Sequence, residues 1–245
     1  MFQVPPPTRF DLNFSLFGFS VRISPFFWVL AIFLGASSFN LERIAIWVAV
    51  IFVSILIHEL GHSLMMRRYD IDSFIVLYHF GGLAVPLSAR RMSLGWLQQI
   101  AISLAGPFAG FFFVGIVIGI VELAGGLVFT NPMFGFLPVP MAYLFSAGDL
   151  VNEAIATIVW VNVFWGILNL LPVFPLDGGR VSQQIFMRFD RWNGLRNALW
   201  LSVVTGALLA IVGYVYFNSL YMAFMFGLLA VQSYQMIQGG VGPRF

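Results

Sequence analysis

Long apolar runs, each nearly free of charge, constrain this chain more than anything else in it. They lie at about 25–38, 44–66, 93–123, 150–171, 197–217 and 219–237. The hydrocarbon core of a bilayer is spanned by roughly 20 apolar residues in a helix. Only a helix or a closed barrel satisfies every backbone N–H and C=O at that depth. The expected fold class is therefore an all-α polytopic membrane protein with about six transmembrane helices. Composition agrees, because 60% of the 245 residues are hydrophobic and 9% are charged. Soluble domains carry about 25% charged residues, so this chain lacks the polar side chains to cover a globule. Absence of cysteine removes disulfides and any thiolate metal site.

All 12 basic residues are arginine, and none belongs to a basic tract interleaved with aromatics. That distribution argues against nucleic acid as a partner and is informative about orientation instead. With a cytoplasmic N-terminus, Arg9, Arg22, Arg67, Arg68, Arg90, Arg91, Arg180, Arg188, Arg191, Arg196 and Arg244 fall on the cytoplasmic side, and Arg43 alone falls outside. The expected location is a bacterial or archaeal cell membrane, crossed several times, with both termini and the active-site side cytoplasmic. Residues 1–24 contain Pro5 to Pro7 and Asp11 and lack the pattern of a cleaved signal peptide. They read as a cytoplasmic arm or interfacial segment, followed by a membrane domain over 25–238 and a tail over 239–245.

Four segments between or within the runs depart from helical patterning. Asp70 to Leu87 is rich in strand formers, is interrupted by Gly81-Gly82 and ends near Pro86. It reads as a small membrane-associated β-hairpin or sheet. Gly106-Pro107 is expected to break or kink the third run, because proline removes a backbone donor. Gly125 to Asp149, with its glycines and prolines, is expected to be a loop. Pro172 to Arg180 contains two prolines and two glycines and is expected to be irregular.

The chemistry sits in the second run. His58-Glu59-Leu60-Gly61-His62 is an H-E-x-x-H motif. Residues four apart share one helix face, so His58 and His62 can hold one metal ion, with Glu59 beside it as general base. Zinc suits nitrogen and oxygen donors in a tetrahedral site that keeps one position open. Three ionisable groups at membrane depth are costly and mark function. Two hydrogen-bonded structural histidines are the weaker explanation. A third ligand is needed, and His79 and Asp177 are the candidates. From its context, Asp177 is equally a ligand or a cap of the following helix.

His58-Glu59-Leu60-Gly61-His62 within a membrane span, followed by Asn169-Leu170-Leu171-Pro172-Val173-Phe174-Pro175-Leu176-Asp177-Gly178-Gly179-Arg180, resembles the site-2 protease family of intramembrane zinc metalloproteases, in a compact form without PDZ or CBS domains. The resemblance covers roughly Ser15 to Arg191 and includes a G-P motif at Gly106-Pro107. It implies one zinc ion held by His58, His62 and Asp177, with Glu59 as the base and Asn169 near the substrate carbonyl. It leaves His79 as an interfacial or structural residue. Family members often carry asparagine shortly after that proline, where this chain has Gly110.

A transmembrane helix hides its peptide bonds in its own hydrogen bonds, so a substrate must be held extended to be cut. A sheet edge holds such a strand by β-augmentation. Phe74 to Val85 is expected to supply that edge, with Phe74, Ile75, Val76, Gly81 and Gly82 touching substrate. The leading function is an intramembrane endopeptidase acting on transmembrane protein substrates in the lipid bilayer. The alternatives are a membrane metal-ion transporter and a non-proteolytic binder of transmembrane segments. A base next to the first histidine disfavours transport, which has no use for one.

Overall fold

The computed structural model describes residues 5–35, 40–79, 81–87, 94–133 and 137–239. The expectations attached to Phe80, Arg90, Arg91, Arg244 and residues 240–245 lie outside them. The elements in order are β1 (Leu12–Leu16), β2 (Phe19–Ile23), α1 (Pro25–Gly35), α2 (Leu41–Arg68), β3 (Ser73–Tyr78), β4 (Gly81–Pro86), α3 (Trp96–Leu123), β5 (Leu127–Met133), β6 (Leu137–Tyr143), α4 (Asp149–Leu170), α5 (Asp177–Phe189), α6 (Gly194–Val215) and α7 (Leu220–Gln238).

Among the described residues, α2, α3, α4, α6 and α7 are the five helices long and apolar enough to cross a membrane. The sixth expected span corresponds to α1, an apolar helix of 11 residues. At about 1.5 Å per residue it rises only about half the thickness of a hydrocarbon core. The chain divides into two compact units, Met1–Met92 with Ala105–Gly166, and Ser93–Leu104 with Ile167–Phe245.

In the first unit, β1 to β4 form one sheet in chain order, antiparallel except for the parallel pair β2–β3. Residues 12–23, read from sequence as part of an arm or interfacial segment, are thus two strands of this sheet. Alternation explains it: Phe19, Val21 and Ile23 point inward and join Ile75, Leu77, Phe27, Leu56 and Leu60 in a core against α2. The β1–β2 turn places Phe17 and Gly18 at φ 51° and 84°, the left-handed pair that a two-residue hairpin favours. Arg67, in the last turn of α2, donates to the Phe17 carbonyl at 2.8 Å and lies 4.5 Å over the Phe19 ring. Helix α2 starts at Asn40, whose side chain accepts from the Glu42 and Arg43 N–H groups, the usual way of satisfying first-turn donors.

Helix α3 runs through Pro107 without interruption, so the expected break does not occur. Proline forfeits one backbone bond, and a membrane helix packed among neighbours tolerates that loss. Residues 125–133 and 137–149 are also more regular than expected. They contain the antiparallel hairpin β5–β6, paired from Leu127↔Tyr143 to Met133↔Leu137. Pro132, Pro138 and Pro140 hid these strands, because proline normally argues against ladder pairing. Packing overrides it: Val139 meets Val114 and Val159, and Ala142 meets Val121 and Ile155. Asn152 then secures the return to α4, accepting from Leu144 N–H at 2.8 Å and donating to the Leu144 carbonyl at 3.1 Å.

In the second unit, α6 and α7 approach closely through glycine. A Cβ on Gly206 would lie 3.1 Å from Ala230 Cβ, and one on Gly213 would lie 2.8 Å from Met222 Cβ. Small residues commonly permit such approach between membrane helices. The irregular segment is shorter than expected, because Asp177-Gly178-Gly179-Arg180 already forms the first turn of α5. A Cβ on Gly179 would lie 2.5 Å from Phe174 N, and one on Gly178 would strike the Leu170 carbonyl. These glycines let the new helix fold back onto its own leading loop. Phe174 N–H donates to Ser202 Oγ at 3.0 Å, tying that loop to α6.

Candidate metal centre

Helix α2 carries His58 and His62 on one face, four residues apart and both buried. Their Nε2 atoms are 3.1 Å apart, with the rings at 80° to one another. Two nitrogens bound to one tetrahedral zinc at 2.0–2.1 Å would stand about 3.3 Å apart. The pair therefore fits a shared ion.

Helix α3 shapes the space in front of that pair. A Cβ on Gly106 would lie 2.7 Å from His58 Nε2 and closer still to His62 Nε2. Only glycine leaves both ring nitrogens clear. On the α2 side, a Cβ on Gly61 would collide with the Ala105 carbonyl and lie 2.7 Å from Ala109 Cβ. Gly61 and Gly106 thus let α2 and α3 meet at the depth of the histidines. The sequence reading noted Gly106 for its resemblance and for a kink; its structural part here is clearance. Gly61 occupied an unassigned position of the motif.

Glu59 is buried, and its carboxylate lies against β4. A Cβ on Gly82 would fall 2.6 Å from Glu59 Oε1 and nearer to Cγ. Gly82 is thus what lets the strand run beside the proposed base. The position of that strand corrects the expected edge. Phe74, Ile75 and Val76 belong to β3, an interior strand with β2 on one side and β4 on the other. The edge near Glu59 is β4, comprising Gly81 to Pro86. Leu87 N–H donates to the Asp72 carbonyl at 2.8 Å. With Ser73 opposite Pro86 and Leu77 opposite Gly82, the antiparallel alternation turns the N–H and C=O of Gly82 and Ala84 away from β3.

One polar group near this site escaped sequence reasoning. Asn162 of α4 is buried, donates to Ser54 Oγ at 2.9 Å, and places Oδ1 3.2 Å from where a Gly110 Cβ would be. Its amide thus stands in front of the position where family members often carry asparagine. An asparagine in the middle of an apolar run was the signal available. His79 is exposed at the end of β3, packed edge-to-face on Tyr78 and Phe26.

In the second unit, Asp177 is 5% exposed and is the first residue of α5. The helix is capped at Leu176, so Asp177 is not its N-cap. Asn169 is buried in the last turn of α4.

Comparison with known proteins accords with these features. The sequence pattern of peptidase family M50 matches residues 46–213. A zinc metalloprotease of Methanocaldococcus jannaschii is 28% identical over 178 residues, covering 71% of this chain and 45% of that protein. A putative zinc metalloprotease of Synechocystis is 32% identical over 137 residues, covering 56% of this chain and 30% of that protein. The chain spans less than half the length of these curated relatives. Among solved structures, the site-2 protease from Methanocaldococcus jannaschii shares the fold, with a TM-score of 0.57 and 20% identity over 93% of this chain and 95% of that one.

Proposed function

From the membership of this chain in peptidase family M50, a family of zinc metalloproteases, we propose that it hydrolyses peptide bonds within or near transmembrane segments of other proteins. One observation carries the reading. Two buried imidazoles present their Nε2 atoms 3.1 Å apart, with Glu59 between them in sequence, on a helix long and apolar enough to cross a membrane.

His58 and His62 would hold the zinc ion, and Asp177 would supply the third protein ligand. Asp177 is supported by its burial, by its place at the start of α5 rather than at its cap, and by the family resemblance. Bound zinc polarises a carbonyl and makes water nucleophilic near neutral pH. The chain's own residues do the rest. Glu59 accepts the proton of the attacking water and later delivers it to the departing amine. Burial among apolar neighbours keeps bulk water from competing for that proton. The substrate pairs with the free edge of β4, where Gly82 and Ala84 offer outward N–H and C=O groups beside Glu59. Asn169 steadies the substrate backbone or its carbonyl. The arginine bias of the sequence favours a cytoplasmic active-site side.

Glu59→Gln tests the assignment. Glutamine keeps the size of glutamate but cannot take the proton. Zinc content and folding should persist, while cleavage of a transmembrane substrate by purified protein falls by about two to four orders of magnitude. Near wild-type cleavage by the Gln form would remove Glu59 as the base.

A further inference from the structure

The elbow between α5 and α6 combines charge and aromatic surface in a way the proteolytic reading leaves unused. Arg188, Phe189, Arg191, Trp192 and Arg196 all face outward, with Phe189 85% and Trp192 71% exposed. No ion pair among the described residues engages these arginines. Asp190 is the only acid in the sequence from Gly178 to Phe245, and its carboxylate is committed to the turn. It accepts from Trp192 N–H at 3.0 Å and Asn193 N–H at 2.9 Å. The Asn193 bond foremost holds that carboxyl below its ordinary range. The backbone is compact beneath, because a Cβ on Gly194 would meet Met187 Cα at 2.7 Å. A fixed turn thus displays two large aromatics among three arginines.

Its depth follows from covalent adjacency. Helix α6 begins at Gly194 and is long and apolar enough to cross a membrane, which puts residues 188–196 at the membrane–water boundary. There an aromatic ring sits among headgroups, and arginine pairs with phosphate through its planar fork. The other end of α6 provides the contrast. It exposes Tyr216, Leu220 and Tyr221, yet no charged residue occurs from Asn197 to Gly239. Both ends are therefore suited to an interface, and only the first also carries charge. Arg196 even stands in the first turn of α6, where its charge opposes the helix dipole. Its presence there is better matched to an anion in the bilayer than to the helix.

We propose that the α5–α6 elbow binds the headgroups of anionic phospholipids, with Arg188, Arg191 and Arg196 on the phosphates and Phe189 and Trp192 seated between lipids. The full chain is placed in phosphatidylcholine nanodiscs containing a small fraction of brominated phosphatidylglycerol or brominated phosphatidylcholine. Quenching at Trp192 is read as the difference between wild type and Trp192→Phe. A basic residue near an anionic surface contributes roughly a fivefold gain in association. Allowing for screening and overlap among the arginines, the preference for phosphatidylglycerol should be about tenfold or more. It should approach unity in the triple variant Arg188→Gln, Arg191→Gln, Arg196→Gln and survive in the triple Lys variant. Salt near 1 M, where the screening length is about 3 Å, should weaken it in wild type. Soluble glycerol phosphate should not displace it. Equal quenching by the two brominated lipids in wild type would reduce the elbow to an ordinary aromatic anchor and overturn the proposal. Displacement by soluble glycerol phosphate would overturn it in favour of a site for free anions. If the Gln variant does not fold, the wild-type lipid comparison and its salt dependence decide alone.

Discussion

Gly106→Ala offers a direct test of how α3 serves the metal site. The added methyl would stand 2.7 Å from His58 Nε2, whereas ordinary van der Waals contact begins at 3.4 Å, so the groups must part by about 0.7 Å. The encounter with His62 Nε2 is closer still. Metal–ligand distances tolerate only about 0.2 Å, and the obstacle is a methyl on a helix backbone with no rotamer to escape into. Relief requires the imidazoles to swing away or α2 and α3 to separate at Gly61, which is equally tight. We expect zinc affinity to fall by about 10- to 100-fold, the usual penalty for disturbing the groups that set ligand orientation. The assay is zinc retained per chain after titration with a chelator of known affinity, in parallel with substrate cleavage. Gly115→Ala and Gly119→Ala are the controls. They lie on the same helix with nothing within 4 Å of the added methyl, and alanine in a helix interior is if anything stabilising by about 0.5–1 kcal/mol. Wild-type zinc affinity in Gly106→Ala would refute the clearance argument, as would equal loss in the two controls.

Asp177→Ala should release zinc, and His79→Ala should leave zinc content unchanged; metal analysis giving the reverse would make His79 the third ligand. At the sheet edge, Ala84→Pro removes an N–H that points away from β3, so the sheet should survive. Cleavage of a transmembrane substrate should fall at least tenfold in Ala84→Pro while zinc stays bound, and unchanged cleavage would remove strand addition at β4. Leu83→Pro, whose N–H faces β3, should instead destabilise the sheet, read as loss of folded protein on size exclusion.

The elements most legible in the sequence were those whose signal is local. The five long helices declare themselves because a bilayer demands continuous apolar runs, and lipid adds no tertiary condition that could mask them. His58, Glu59 and His62 were legible for a similar reason: four residues along a helix bring two side chains to one face whatever surrounds them. Strands β1, β2, β5 and β6 were not legible. A short strand is stabilised by its partners, and the strand that holds the β1–β2 hairpin in the sheet is β3, some fifty residues away from β2. The prolines of β5 and β6 pointed the other way until Val139 and Ala142 found their neighbours on α3 and α4. Phe74 to Val85 was expected as the edge as a whole, because a run of strand formers carries no record of which strand lies outermost; only sheet order separates the interior β3 from the outer β4. Gly61, Gly82 and Gly106 complete the contrast. Glycine in sequence says only that a side chain is missing. What must not be filled, the carboxylate of Glu59 or the ring nitrogens of His58 and His62, becomes visible only when another element of the fold has been packed against it.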